Sequence, residues 1–404
     1  MIASGRQNRG IVVPDNGIVI VGGGLAAVRT AEELRRAEYA GPITIVSDET
    51  RPPYDRPPLT KEVLRGERDD TTLEPPEFYA QHDISLRLGC GARSVDTAAQ
   101  QVTLADGTVL GYDHLVIATG LVPRRIPSLP DLDGIRVIRS FEDSLAVRDD
   151  AAGAGRAVVI GAGFIGCEAA ASLRKLGLEV VLVEPQPAPL AAVLGEQIGE
   201  LVARLHRANG VDVRSGVGVA EVRGAGRVQT VVLTDGTELS ADVVVLGVGS
   251  TPATEWLEGS GVELDNGVVC DATGRTSAPR VWAVGDVAFW RGREGHQVRV
   301  EHWSNVVAQA RTMVPNILGR ESLHDVAVPA YFWSDQYDVK IQCLGEPEAT
   351  DTVHLVEDDG HKFLAYYERN GVLAGVVGAG RPGKVMGARG KIATGAPISE
   401  VLTG

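Results

Sequence analysis

Two glycine-rich turns carry the strongest chemical signal in the chain. Gly22-Gly23-Gly24-Leu25-Ala26-Ala27 follows an apolar run, Gly17-Ile-Val-Ile-Val21. Gly161-Ala162-Gly163-Phe164-Ile165-Gly166 follows another, Ala157-Val-Val-Ile160. Glycines at the first and third places let the backbone turn tightly and approach an anion. The helix start that comes next aims N–H donors at a pyrophosphate. An acid stands downstream of each turn: Asp48, 26 residues past Gly22, and Glu184, 23 residues past Gly161. A carboxylate at that distance can accept the hydroxyls of a ribose. One such motif is weak evidence. Two, with the same parts in the same order, point to two dinucleotides. The sixth place is Gly166 in the second turn and Ala27 in the first, a replacement the motif tolerates.

The elements needed to position these turns are legible around them. Val28, Ala31 and Leu34 recur at helical spacing after the first turn, and Ile43-Thr-Ile-Val46 reads as the next strand. After the second turn, Ala169 to Leu176 reads as a helix and Glu179-Val-Val-Leu-Val183 as a strand. Residues 101–120 read as a hairpin and a strand ending at Ala118-Thr119-Gly120. Residues 230–249 repeat that layout and end at Gly247-Val248-Gly249. Val281-Trp-Ala-Val-Gly285-Asp286 delivers an acid from the end of a strand, where ligands sit in open α/β sheets. Asp286 suits the hydroxyls of a ribityl chain, and equally the N-cap of a following helix. From about residue 330 short strands dominate: 331–333, 338–343, 354–356, 362–367 and 372–377. A partly helical stretch closes the chain at 382–403. The first turn suggests FAD and the second a nicotinamide dinucleotide. Glu184 favours the free 2′-hydroxyl of NADH, and Pro185-Gln186-Pro187 offers no arginine for a 2′-phosphate.

Composition bounds the rest. A chain of 404 residues allows two or three domains. Its 49 glycines suit repeated close approach of backbone to ligand. A net charge of -14 argues against nucleic acid or an anionic membrane as a general partner. No run of 18 apolar residues appears, so no spanning helix is expected. The opening residues lack the apolar segment of a secretory signal and read as a flexible tail over 1–16. Cys90, Cys167, Cys270 and Cys343 are too far apart in sequence for a local metal or CxxC motif. We expect reduced thiols, no metal, and a cytoplasmic location.

Further blocks carry a family resemblance. Tyr54-Asp55-Arg56-Pro57-Pro58-Leu59-Thr60-Lys61 resembles a signature of oxygenase-coupled, NADH-dependent ferredoxin reductases, such as putidaredoxin reductase and biphenyl dioxygenase ferredoxin reductase. Gly22 to Ala26, Ala118 to Gly120, Gly163 to Glu168, Ala283 to Asp286, Arg299 to Asn305 and Trp333 to Gln336 are similar to other blocks of that family, in the same order. The resemblance implies a glutathione-reductase-like α/β fold with two dinucleotide-binding domains and a small α+β C-terminal domain. It places an FAD domain at 17–122 and 250–322, an NADH domain at 123–249, and the C-terminal domain at 323–404. It implies that Ala26, Asp48, Lys61, Ala92, Arg139, Asp286 and Trp303 contact FAD, with Gly22, Gly24, Leu25, Ala118, Thr119, Gly120, Gly285 and Glu301 in the same blocks. Arg51 and Arg124 resemble flavin-side arginines. Gly161, Gly163, Phe164, Ile165, Gly166, Glu184 and Gly249 would hold NADH. Lys61 and Glu168 are the candidate catalytic residues. Lys61 would polarise the flavin, and Glu168 resembles an acid near both rings. Thr60 stands where the family usually has serine, and Trp303 resembles the dioxygenase-type members.

The residues leave competing readings for several of these positions. Lys61 could be a surface lysine, Glu168 a helix-start acid favoured by the dipole, and Trp303 and Trp333 buried core. The cysteines decide the electron acceptor. No thiol lies between 40 and 61 and none is paired locally, so thiol relay is excluded. A small iron–sulfur ferredoxin feeding a cytochrome P450 or a dioxygenase is the expected partner, taking electrons one at a time. The alternative is an NADH:quinone or NADH:oxygen flavin oxidoreductase with no protein acceptor. A basic dock for the ferredoxin is expected from Arg291, Arg293, Arg299, Arg381, Lys384, Arg389 and Lys391. The chain is expected to be a monomer or weak dimer.

Overall fold

Short runs of β-branched residues become fully buried parallel strands, and these set the position of both turns. The computed structural model describes residues 12–13, 17–291, 297–299, 301, 303–320 and 329–402. The chain divides into two compact units, one of residues 1–55, 72–122 and 251–325, the other of 56–71, 123–250 and 326–404.

The first unit is built on a five-stranded parallel sheet. Its spatial order is Ile84–Arg87, Ile43–Val46, Ile18–Val21, His114–Ile117, Val281–Ala283. Alternation along the central strand fills both faces. Ile18 and Ile20 pack with Ala27, Ala31 and Leu34 of the helix Leu25–Arg36 and with Met313 and Val314 of Trp303–Ile317. Val19 and Val21 pack with Val102, Leu104 and Leu110 on the other side. Burial on both faces is why these strands read as continuous apolar runs. The strand order reverses between Ile18–Val21 and His114–Ile117, and ligands of such sheets bind at that crevice. Val12–Val13, expected in the flexible tail, instead pair in parallel with Val109 and Leu110.

The second unit repeats the plan. Its parallel sheet runs Ile135–Arg136, Val243–Leu246, Arg156–Ile160, Glu179–Glu184, Val211–Ser215, reversing between Arg156–Ile160 and Val243–Leu246. Phe141–Ala151 precedes the second turn with a capping box between Ser140 and Asp143. The C-terminal part of this unit is a five-stranded antiparallel sheet. It orders Tyr331–Gln336, Val339–Gly345, Val372–Ala379, Phe363–Arg369, Thr352–Asp358 and carries the short helices Pro382–Gly387, Arg389–Ala393 and Ser399–Leu402. The α+β texture read from residue 330 onward is thereby met. The segment 56–71, which carries Lys61, belongs to this unit with residues 123–250.

Candidate functional site

Each glycine-rich turn lies at the crevice of its own sheet. In the first, Gly22 has φ +132°, and a Cβ there would stand 2.1 Å from the Ala118 carbonyl oxygen. Only glycine fits, so the turn and the end of His114–Ile117 lie backbone to backbone. Gly24 caps Leu25–Arg36, with no side chain capping it and nothing within 4 Å of where its Cβ would be. Open space above a helix start whose donors lack a side-chain partner suits a pyrophosphate. Leu25 and Ala26 open the helix. Gly285, at φ +79°, places a Cβ position 2.9 Å from the Ala26 Cβ.

Residues expected around this turn gather at the same strand ends. Ala118, Thr119 and Gly120 follow His114–Ile117, and the Thr119 hydroxyl donates to the Ala253 carbonyl at 2.8 Å. Asp48 is exposed beyond Ile43–Val46. A Cβ on Gly91 would fall 2.9 Å from the Asp48 Cβ, next to Ala92. Gly91 is a position the sequence reading missed, since one glycine outside a motif gives no signal. Asp286 is followed by the strand Ala288–Arg291, which removes its reading as a helix N-cap. Arg299 donates to the Asp286 carbonyl and pairs with Glu301. Arg51 is half-buried. Trp303 is 39% exposed, so it is not core, and its indole N–H donates to Asp55 at 3.2 Å.

The second turn has the same construction. Gly161 has φ +93°, and its Cβ would stand 2.5 Å from the Gly247 carbonyl oxygen. Gly163 caps Phe164–Lys175 without a side-chain partner. Ile165 is 43% exposed at that helix start, and Phe164 packs edge-on against Phe332 with centroids 4.9 Å apart. Glu184 is buried, and its carboxylate accepts from the Ala162 N–H at 2.6 Å and the Gln186 N–H at 2.9 Å. Its charge is therefore fixed beside the turn. Gly249 accepts at its carbonyl from the Arg124 N–H at 2.9 Å, which brings Arg124 against a residue expected on the NADH side.

Lys61 and Glu168, 107 residues apart in sequence, form a buried ion pair. Their side chains are 7% and 5% exposed, so Lys61 is not a surface lysine. Glu168 lies beyond the first turn of its helix, which removes the dipole reading. The carboxylate accepts four bonds: from Lys61 and the Thr60 hydroxyl on Oε2, and from the Ser334 hydroxyl (2.8 Å) and the Asp335 N–H (3.3 Å) on Oε1. Such a carboxylate is fully satisfied, which is what makes its burial tolerable. Thr60 keeps the hydroxyl that the family's usual serine would supply. The loop holding Lys61 is itself fastened, since Ser172 donates to the Thr60 carbonyl and Ser144 to the Leu59 carbonyl, both at 2.6 Å. Arg139 accepts at its carbonyl from Arg56 at 2.5 Å.

All four cysteines are free, and burial raises the thiol pKa of Cys167, Cys270 and Cys343. No group of metal-ligating residues occurs among the described residues, and no described helix is long and apolar enough to cross a membrane. Several residues of the expected basic dock have partners of their own. Arg381 pairs with Glu357 at 2.7 Å and Asp359 at 3.0 Å, Lys384 pairs with Glu357, and Lys391 donates to the Glu400 carbonyl. Arg299 is largely buried in its pair with Glu301. Arg291 and Arg389 are exposed, and Arg293 lies outside the described residues.

Two sheets with glycine turns at their crevices define a protein of the class with two dinucleotide-binding folds. Residues 16–310 match the family model "Pyridine nucleotide-disulphide oxidoreductase", and residues 331–403 match "Reductase C-terminal". Rhodocoxin reductase of Rhodococcus erythropolis is 37% identical over 95% of this chain and 90% of its own. The ferredoxin–NAD(+) reductase component of the p-cumate 2,3-dioxygenase system of Pseudomonas putida is 35% identical over 85% and 84%. The crystal structure of the covalent putidaredoxin reductase–putidaredoxin complex superimposes with a TM-score of 0.91 at 32% identity, covering 96% of each chain. The chain belongs to the pyridine nucleotide-disulphide oxidoreductases and, within them, to the NADH-dependent ferredoxin reductases related to putidaredoxin reductase. It is an oxidoreductase of that family, whose members depend on FAD and NADH.

Proposed function

We propose that this chain is an NADH:ferredoxin oxidoreductase. It holds FAD at Gly22–Ala27, takes NADH at Gly161–Gly166, and passes electrons to a small iron–sulfur ferredoxin that serves a cytochrome P450 or a dioxygenase. The observation that carries the reading is the pair of matching cradles in a chain whose cysteines are free, with three of the four buried at raised thiol pKa. When bound, FAD would supply the conversion of a two-electron hydride into single electrons.

The chain's own residues do the rest. The helix starts at Gly24 and Gly163 bind pyrophosphate through N–H donors. Gly22 and Gly161 keep the turns close enough for that contact. Glu184, held by the Ala162 and Gln186 N–H groups, accepts a ribose hydroxyl and repels a 2′-phosphate. Asp48 and Asp286 accept hydroxyls of FAD. Lys61 presents a cation that favours negative charge on a reduced ring, and Glu168 holds that cation in one place. Cys167 and Cys343, buried as thiols, take no part.

The test is NADH-driven reduction of cytochrome c with and without an added [2Fe–2S] ferredoxin. A signal that depends on the ferredoxin supports the reading. Rapid turnover of oxygen or a quinone, with no gain from any ferredoxin, replaces it with a reductase that has no protein acceptor.

A further inference from the structure

Behind Glu168 lies a file of polar side chains that the proposed reaction does not use. Ser334 and Gln336 alternate on one face of Tyr331–Gln336, and His206 lies near the end of the helix Glu196–Ala208. All three are 0% exposed. Burying three polar side chains in a row is costly unless each is bonded. Gln336 Nε2 lies 3.1 Å from Ser334 Oγ, and Ser334 Oγ lies 2.8 Å from Glu168 Oε1. Gln336 also interacts with the His206 ring, and His206 Nδ1 lies 2.8 Å from the Tyr337 hydroxyl. The His206 Nε2 and Gln336 Oε1 atoms are both buried, and neither has a hydrogen-bond partner that meets the usual geometry.

Chemistry fixes the direction of every bond in this file. A carboxylate accepts, so the Ser334 hydroxyl must donate to it. Ser334 Oγ then has lone pairs left, and the Gln336 amide N–H donates to them. That leaves Gln336 Oε1 as a buried acceptor in need of a donor, and a proton on His206 Nε2, the other unpartnered atom of the file, would supply it. A neutral His206 with its proton on Nε2 has a bare Nδ1, and this accepts from the Tyr337 hydroxyl. Burial lowers the His206 pKa to about 4, in keeping with a neutral ring. Tyr337 itself has φ +57°, a strained left-handed conformation for a bulky residue in a hairpin turn. Its carbonyl accepts from Lys175 at 2.9 Å, and its ring meets His206 edge-on with centroids 5.4 Å apart. The strain is held by contacts that aim the phenol at His206.

We propose that Tyr337, His206, Gln336 and Ser334 form a one-way hydrogen-bond relay that positions the Glu168 carboxylate against Lys61. These four are positioning residues, since each acts through another. This rests on the proposed reductase function for its kinetic consequence, but the direction of the relay stands without it.

Two measurements test it on the FAD-loaded protein. The first is the tautomer of His206 by nitrogen NMR of histidine-labelled protein, assigned against His206→Gln. The expected result is a neutral ring protonated on Nε2. A proton on Nδ1, or a charged ring at neutral pH, would overturn the relay. The second is anaerobic stopped-flow reduction by NADH. Ser334→Ala is expected to slow flavin reduction about tenfold while NADH affinity changes less than about twofold. Ser334→Thr, which restores the hydroxyl, is expected to recover most of the rate. Wild-type rates in Ser334→Ala would refute the positioning role. A wild-type protein that does not oxidise NADH would end the functional reading instead, and the tautomer would still decide the relay.

Discussion

At the first turn a Cβ on Gly22 would meet the Ala118 carbonyl at 2.1 Å, and at the second a Cβ on Gly161 would meet the Gly247 carbonyl at 2.5 Å. The two turns share that close approach and differ at three other places. The sixth position is Ala27 in the first turn and Gly166 in the second, where a Cβ would stand 1.9 Å from the Gly161 carbonyl. Two residues further along the helix the first has Arg29, 24% exposed and paired with Glu32 and Glu74. The second has Glu168, buried against Lys61. The downstream acid is exposed in the first, Asp48, and clasped by two backbone N–H groups in the second, Glu184. Similar motifs thus sit in different surroundings. The second turn is packed more tightly against its own helix, and its helix carries the buried charge pair.

That contrast can be broken at its strongest point. Gly166→Ala is expected to destabilise the protein by about 4 kcal/mol or to prevent folding, because backbone would have to move away from backbone. A chemical denaturation midpoint close to wild type would show the turn to be looser than described. Glu168→Ala leaves the Lys61 cation buried without its counter-charge, with only the Thr60 hydroxyl beside it, and should cost about 3 kcal/mol. Arg29→Ala on the partly exposed counterpart should cost less than about 1 kcal/mol. Equal losses from the two would remove the distinction between the helices.

Glu184→Gln removes the fixed charge at the second turn. The ratio of NADPH to NADH oxidation rates is expected to rise about tenfold, read as kcat/KM for each. An unchanged ratio would take the cofactor preference away from this residue. A small effect is also expected from Ala27→Gly, which gives the first turn the sixth residue of the second. Loss of helix propensity should lower stability by about 1 kcal/mol, with flavin content unchanged.

What the sequence made legible follows the same division. Turn glycines, apolar runs and acids at fixed spacing are local patterns, so both cradles and their sheets could be read directly. Lys61 and Glu168 were marked through the family resemblance and through residue type. Their burial was not visible, because it depends on packing between segments about a hundred residues apart. Ser334, Gln336 and His206 gave no motif of their own as a group. They meet only because a strand of the C-terminal sheet and the helix Glu196–Ala208 reach Glu168 through tertiary contacts. Charge clustering along the chain does not show the acids that meet it in space. Arg381 and Lys384 look like a free basic patch until the end of Thr352–Asp358 and the turn after it bring Glu357 and Asp359 to them.

The central claim, that the two turns serve two different dinucleotides, is tested most directly by comparing the visible spectra of Gly22→Ala and Gly161→Ala under anaerobic conditions before and after NADH. The first variant is expected to be purified without flavin absorption. The second should keep it, resist bleaching by NADH, and bleach with dithionite. Bleaching of Gly161→Ala by NADH at the wild-type rate, or full flavin content in Gly22→Ala, would contradict the assignment.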